Sequence, residues 1–246
     1  MPVDFETKLI NTLRDLRKAI EPRDAAPPPV VVGSSVPSIL EIAAEEADKS
    51  LLFPTEDVDI AVRSVSQAEK IRALPEWRQS PENPAVLEPV NPDTHLELNI
   101  VGVDPDVPIG VSKVMGESHV AFGSLGLIRA ETVRLSGETY EIASPESLAV
   151  EKLVSLRGGL KSGRDMTVAA LCLREIAADP GLRMPAFQEQ LARLDPEWRQ
   201  EASANLALLI LEARQGRLMS IGPPVEAIDL AVRCLNREKT GEGPER

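Results

Sequence analysis

Apolar residues recur every three or four positions from Phe5 to Ile20, placing Leu9, Leu13, Leu16 and Ile20 on one side, and this spacing predicts an amphipathic helix. The proline-rich run Glu21-Pro-Arg-Asp-Ala-Ala-Pro-Pro-Pro29 ends it. The period then changes. Pro29-Val-Val-Val-Gly-Ser-Ser35 reads as a β-branched strand closing in a Gly-Ser turn, and Val36 to Ala47 regains helical spacing. Leu52-Phe-Pro-Thr-Glu-Asp-Val-Asp-Ile-Ala-Val62 reads as a second strand, and His95-Leu-Glu-Leu-Asn-Ile-Val101 as a third with strict alternation. Between them Arg78 to Asp93 is loop-rich, with four prolines, and Val103 to Gly116 is turn-rich. Short strands are predicted over 119–122, 130–135 and 139–142.

From Ser144 onward the pattern is helical, with helices predicted over 145–157, 165–178, 185–194, 197–215 and 223–236. Ser144 suits an N-cap, and Pro145 the first helical position, where its missing N–H costs nothing. The expected fold class is therefore α/β (α+β): a small mixed sheet with an N-terminal helix over residues 1–143, then an all-helical region over 144–240. Residues 241–246 are expected to be a frayed tail.

The alternation of the second strand carries the chemistry. Asp57 and Asp59 are alternate residues, so their carboxylates leave the strand on the same side, with Val58, Ile60 and Val62 interleaved. Paired carboxylate oxygens suit a hard divalent cation such as Mg²⁺, which takes one or two from a protein and completes its shell with water and phosphate. Gly33 lets backbone come close to an anion, and the Ser34 and Ser35 hydroxyls stand beside N–H groups at a helix start. Strand, Gly-Ser turn, helix, strand with Asp-x-Asp: in this order the chain resembles the nucleotidyltransferase superfamily of the polymerase-β type.

That resemblance implies a third carboxylate on a neighbouring strand. Glu97 is the candidate, in place of the more usual aspartate; Asn99 shares its face but brings no charge. The implied metal set is Asp57, Asp59 and Glu97, which are also the implied catalytic residues, with Mg²⁺ or Mn²⁺ as cofactor and a nucleoside triphosphate as substrate over Gly33, Ser34 and Ser35. The gap from Ser34 to Asp57 is longer than in compact versions of the motif and is more like the toxin-like bacterial branch. Ser144-Pro-Glu-Ser-Leu-Ala-Val-Glu-Lys-Leu153, followed by Lys161-Ser-Gly-Arg-Asp165, is similar to the segment after the catalytic sheet in toxins of the abortive-infection type. By matched position this implies nucleotide contacts from Lys152, Arg164 and Asp165, with the helical region forming the other wall of a cleft, and an antitoxin as partner. Read alone, Lys152 is a surface lysine beside Glu151, and Arg164 with Asp165 a helix start whose acid favours the N-terminal dipole.

Composition narrows the classes. The 246 residues are 43% hydrophobic and 27% charged, which is globular, while aromatics are only 3%, so Leu, Val, Ile and Ala must build the core. That scarcity disfavours a base-stacking platform for single-stranded nucleic acid. The net charge is −12; residues 144–246 hold 14 Lys and Arg against 15 acids, leaving −11 in the half with Asp-x-Asp, a field that disfavours extended DNA binding. Lys152, Arg157, Lys161 and Arg164 form a local exception. Cys172 and Cys234 lie far apart in apolar surroundings, in keeping with a reducing cytoplasm, and His95 and His119 have no ligand spacing, reading as surface or strand-end residues. No apolar run reaches membrane-spanning length and the N-terminus has no signal pattern. Walker, Rossmann, Gly-x-Ser-x-Gly and His-Glu-x-x-His motifs are absent. Two functions remain: transfer of a nucleoside monophosphate to a hydroxyl of a tRNA, protein or small molecule, or a degenerate relative that binds a nucleotide or partner without chemistry.

Overall fold

The computed structural model describes residues 4–19, 28–44, 52–62, 64–83, 85–102, 111–114, 117–120, 129–154 and 160–215. Backbone contacts divide the chain into two compact units, residues 1–143 and 144–246.

In the first unit, helix α1 (Phe5–Lys18) buries Leu9, Leu13 and Leu16 and starts at Asp4, whose side chain accepts from Thr7 N at 2.8 Å. Each such leucine contributes about 2 kcal/mol of burial. Strand β1 (Val30–Val32) is buried at every position, and a 3-10 turn over Gly33–Ser35 leads into helix α2 (Val36–Ala43). Next come β2 (Asp57–Val62), helix α3 (Val65–Arg72), β3 (Trp77–Gln79), β4 (Val86–Pro89) and β5 (Glu97–Gly102). A separate hairpin of β6 (Val111–Val114) and β7 (Glu117–Val120) precedes β8 (Ala130–Leu135) and β9 (Glu138–Ala143).

The main sheet has seven strands in the order β3-β4-β5-β2-β1-β9-β8 and is mixed. β2 runs parallel to β5, and β1 parallel to β9, while β1 and β2 are antiparallel. The apolar side chains of the central strands, Val58, Ile60, Leu98 and Ile100, are all 3% exposed or less. Their alternation with Asp57, Asp59, Glu97 and Asn99 turns one sheet face to the core and leaves the other polar.

In the second unit, α4 (Pro145–Val154) is packed by α5 (Leu160–Ala178), α6 (Pro180–Ala192) and α7 (Pro196–Arg214). Ser144 Oγ accepts from Ser147 N at 3.3 Å, the expected N-cap bond. Polar groups of α4 are tied to its neighbours: Gln190 donates to Ser147 Oγ at 2.7 Å, Arg183 to Glu146 at 3.0 Å, and Asn205 to the Leu153 backbone carbonyl at 2.6 Å. Buried polar groups on a helix are tolerable only when paired in this way.

Several boundaries differ from the sequence reading. The loop-rich stretch 78–93 holds most of β3, the edge strand, and all of β4, which lies between β3 and β5 and has its proline at its last position. β6 lies in the turn-rich segment, and α3 was not anticipated; Ser64 caps it by accepting from Gln67 N. α5 starts at Leu160 and not at 165, so Gly163 is helical; a Cβ there meets no atom within 4 Å, and one glycine costs a 19-residue helix only about 1 kcal/mol. α6 starts five residues early, where Asp179 caps it and Pro180 takes the first position. His95 is not a plain surface residue: its ring bonds Asp15 and Thr94, each at 2.9 Å, and meets Trp77 edge-on, fastening α1 to the strand that follows. The helix expected over 223–236, the tail 241–246, Cys234 and the ends 44–47 and 155–157 of two predicted helices lie wholly or in part outside the described residues.

Candidate functional site

The Gly-Ser turn and the Asp-x-Asp strand meet through β1. Val32 is in register with Asp59, and the next residue, Gly33, turns the chain with φ +76°. A Cβ at Gly33 would stand 1.9 Å from Asp59 Oδ2 and 2.8 Å from its Cγ. Glycine is required here twice over, by the positive φ and by the carboxylate lying against the turn. Beyond it Ser34 is half-buried, while Ser35 is 1% exposed and its Oγ has no hydrogen-bond partner among the described residues.

The approach to β2 is fixed from α2. Ser38 Oγ accepts from Phe53 N at 2.9 Å and donates to Phe53 O at 3.0 Å, and Thr55 Oγ1 donates to the Asp57 carbonyl at 2.7 Å. These bonds set where the strand begins, and so which residues share its polar face. On the other side β5 supplies the next column: Asp57 is in register with Glu97, and Asp59 with Asn99. All four are half-buried. Asn99 Nδ2 donates to Asp57 Oδ2 at 2.9 Å and to Asp59 Oδ1 at 3.1 Å. Two ionised carboxylates offer only acceptors, so the amide must present its NH₂ end to them.

Glu97 stands in the row of Asp57. Burial, then the charges of Asp57, Glu88 and Glu56, push its carboxyl above the ordinary range. Farther along, Arg78 on β3 faces Glu88 on β4 in register and pairs with it at 3.3 Å.

The second unit holds the other expected residues. Lys152 Nζ lies 3.2 Å from Glu151 Oε2 and 3.3 Å from Asp165 Oδ1, with its side chain 12% exposed, so two carboxylates meet its charge. Arg164 is exposed on the first turns of α5, and Asp165 lies within that helix, not at its start. The side chains of Arg157 and Lys161 lie outside the described residues.

Asn99 carries no charge, so its residue type alone does not mark it as part of the site. The alternation already placed Asn99 on the face of Glu97; the strand register, which no local pattern contains, put it opposite Asp59.

Among solved structures, an antigenic nucleotidyltransferase-like protein from Paracoccidioides brasiliensis superposes with a TM-score of 0.50, covering 91% of this chain and 95% of its own, at 14% identity. The chain has a nucleotidyltransferase-like fold. At this identity the likeness speaks to architecture alone. No family model and no curated protein matches the sequence.

Within that fold, Asp57 and Asp59 have donor chemistry suited to Mg²⁺, and the missing Cβ of Gly33 is what lets the Asp59 carboxylate lie against the turn. Among the described residues no three His, Cys, Asp or Glu side chains gather closely enough to hold a metal ion. The fit therefore rests on two carboxylates. Cys172 is fully buried, which raises its thiol far above the usual range and makes it inert. Among the described residues no helix is long and apolar enough to cross a membrane.

Proposed function

We propose that this chain transfers a nucleoside monophosphate from an NTP to an acceptor hydroxyl, with release of pyrophosphate. The observation that carries the reading is the apposition of Gly33 and Asp59, which joins a turn suited to phosphate with a pair of acids suited to a cation. Asp57 and Asp59 would hold Mg²⁺ or Mn²⁺; once bound, the ion supplies neutralisation of the triphosphate and of the charge that develops on the leaving oxygen.

The chain's own groups do the rest. Gly33, Ser34 and Ser35 receive phosphate oxygens, and the Ser35 hydroxyl, without a hydrogen-bond partner among the described residues, is a donor in reserve beside that turn. Glu97, held above the ordinary carboxylate range, is the proton acceptor for the attacking hydroxyl. The Ser144-Pro145 helix phrase supports the toxin-like branch, in which an antitoxin protein would be the partner and a tRNA, protein or small molecule the acceptor.

A binding module without chemistry is the second reading. It is favoured by Asn99, an uncharged residue beside both aspartates, and by the two-acid site.

Calorimetry with each of the four NTPs, with and without Mg²⁺, on wild type and Asp57→Ala/Asp59→Ala separates these readings when paired with a pyrophosphate-release assay. Transfer predicts Mg²⁺-dependent binding and release, both lost in the folded double variant. Binding without release in the presence of varied acceptors supports the module, and a double variant that still turns over sinks the assignment of the acids.

A further inference from the structure

Asp57 and Asp59 leave the same strand two residues apart, roughly 7 Å along it, and two ionised carboxylates at that spacing repel unless a positive group lies between them. Asn99 supplies such a group. Both of its amide protons are committed, one to each aspartate, at 2.9 and 3.1 Å, from the strand position in register with Asp59. A charged acceptor makes such a bond markedly stronger than a neutral one.

We propose that the Asn99 amide holds the place of the divalent cation, keeping the two carboxylates aligned before metal arrives and yielding that position when it binds. The proposal rests on the reading of Asp57 and Asp59 as a cation site. It assigns Asn99 a role as a positioning residue with two opposed consequences. The amide keeps the acids oriented, so that no reorganisation is needed when the ion enters. It also competes with the ion, because an NH₂ group and a cation cannot both lie between the same oxygens. Affinity for metal alone is then held down, and nucleotide and metal together displace the amide more readily than metal does by itself.

The test uses the full chain and Mn²⁺ alone as probe. Wild type, Asn99→Ala and the isosteric Asn99→Asp are titrated with Mn²⁺ by calorimetry, and each is melted in chelator and again in excess Mn²⁺. Loss of two charge-assisted bonds that compete with the ion should tighten Mn²⁺ binding about tenfold in Asn99→Ala. The same variant should melt below wild type in chelator and recover in Mn²⁺. Asn99→Asp, which adds a third charge in the same volume, should melt lower still in chelator and gain more from Mn²⁺ than either.

A wild type that binds Mn²⁺ while Asn99→Ala binds it equally or more weakly overturns the displacement and leaves the cation site standing. Melting of both variants at the wild-type temperature in chelator overturns the alignment of the acids. No Mn²⁺ heat from any of the three proteins overturns the cation site itself, and the displacement with it.

Discussion

The acid face of the first unit and the lysine cluster of the second meet their charges in opposite ways. On the sheet, Asp57, Asp59 and Glu97 collect like charges in two adjacent strands, with an uncharged amide between the aspartates and Glu97 driven toward its protonated form. On the helices, Lys152 sits between Glu151 and Asp165, and each charge has an opposite within 3.3 Å. A folded protein gains by the second arrangement and loses by the first. Acids gathered on a rigid scaffold are common at functional sites as a class, whereas opposite charges paired at low exposure are common at helix contacts.

The comparison can be broken most forcefully at Gly33. Gly33→Ala puts a methyl group into Asp59 and an L-residue at positive φ; we expect a loss of about 3 kcal/mol in urea denaturation, together with loss of Mg²⁺-dependent NTP binding. Retention of both stability and binding would show that Asp59 is not held against the turn.

Lys152→Met addresses the other side. It removes the ammonium that Glu151 and Asp165 share, and should cost about 2 kcal/mol while changing the dissociation constant for NTP by less than about threefold. The reverse outcome, unchanged stability with NTP binding lost, would return Lys152 to the nucleotide, as its sequence context implied.

The smallest effect sharpens the electrostatics of the sheet. The folded-state carboxyl of Glu97 titrates above its unfolded value, so the folded protein holds the proton more tightly. Stability is then lost as pH rises from the ordinary glutamate range through the folded value, and is constant above it. Glu97→Gln should remove that slope and gain about 0.5 kcal/mol at neutral pH, a figure kept small because solvent screens this half-buried group. Urea denaturation of both proteins from pH 4 to 7 reads the difference, and parallel curves would show that burial and the neighbouring acids do not raise Glu97.

Local pattern carried the elements that bury a periodic face. The stripe of Leu9, Leu13 and Leu16, the alternating core residues of β2 and β5, and the Ser144 cap were all legible because each is fixed by neighbours within a few residues. β3 and β4 were not, since strands of three and four residues owe their existence to the hydrogen bonds of a sheet already formed. The same limit hid the bond from His95, a strand-end residue, to Asp15 eighty positions away.

For the site, sequence by itself determined that Asp57 and Asp59 share a face, because a strand has period two, and that a glycine-led turn lies upstream of them. It also determined the helical character of most described residues between Pro145 and Arg214. Tertiary structure alone decided that Gly33 is the residue against which Asp59 rests, that Glu97 stands in the row of Asp57, and that Asn99 spans both aspartates. It likewise decided that Lys152 is matched by Asp165. Each of these depends on register between strands or packing between helices, and those are set by the burial of the whole unit, not by any stretch of chain that can be read in isolation.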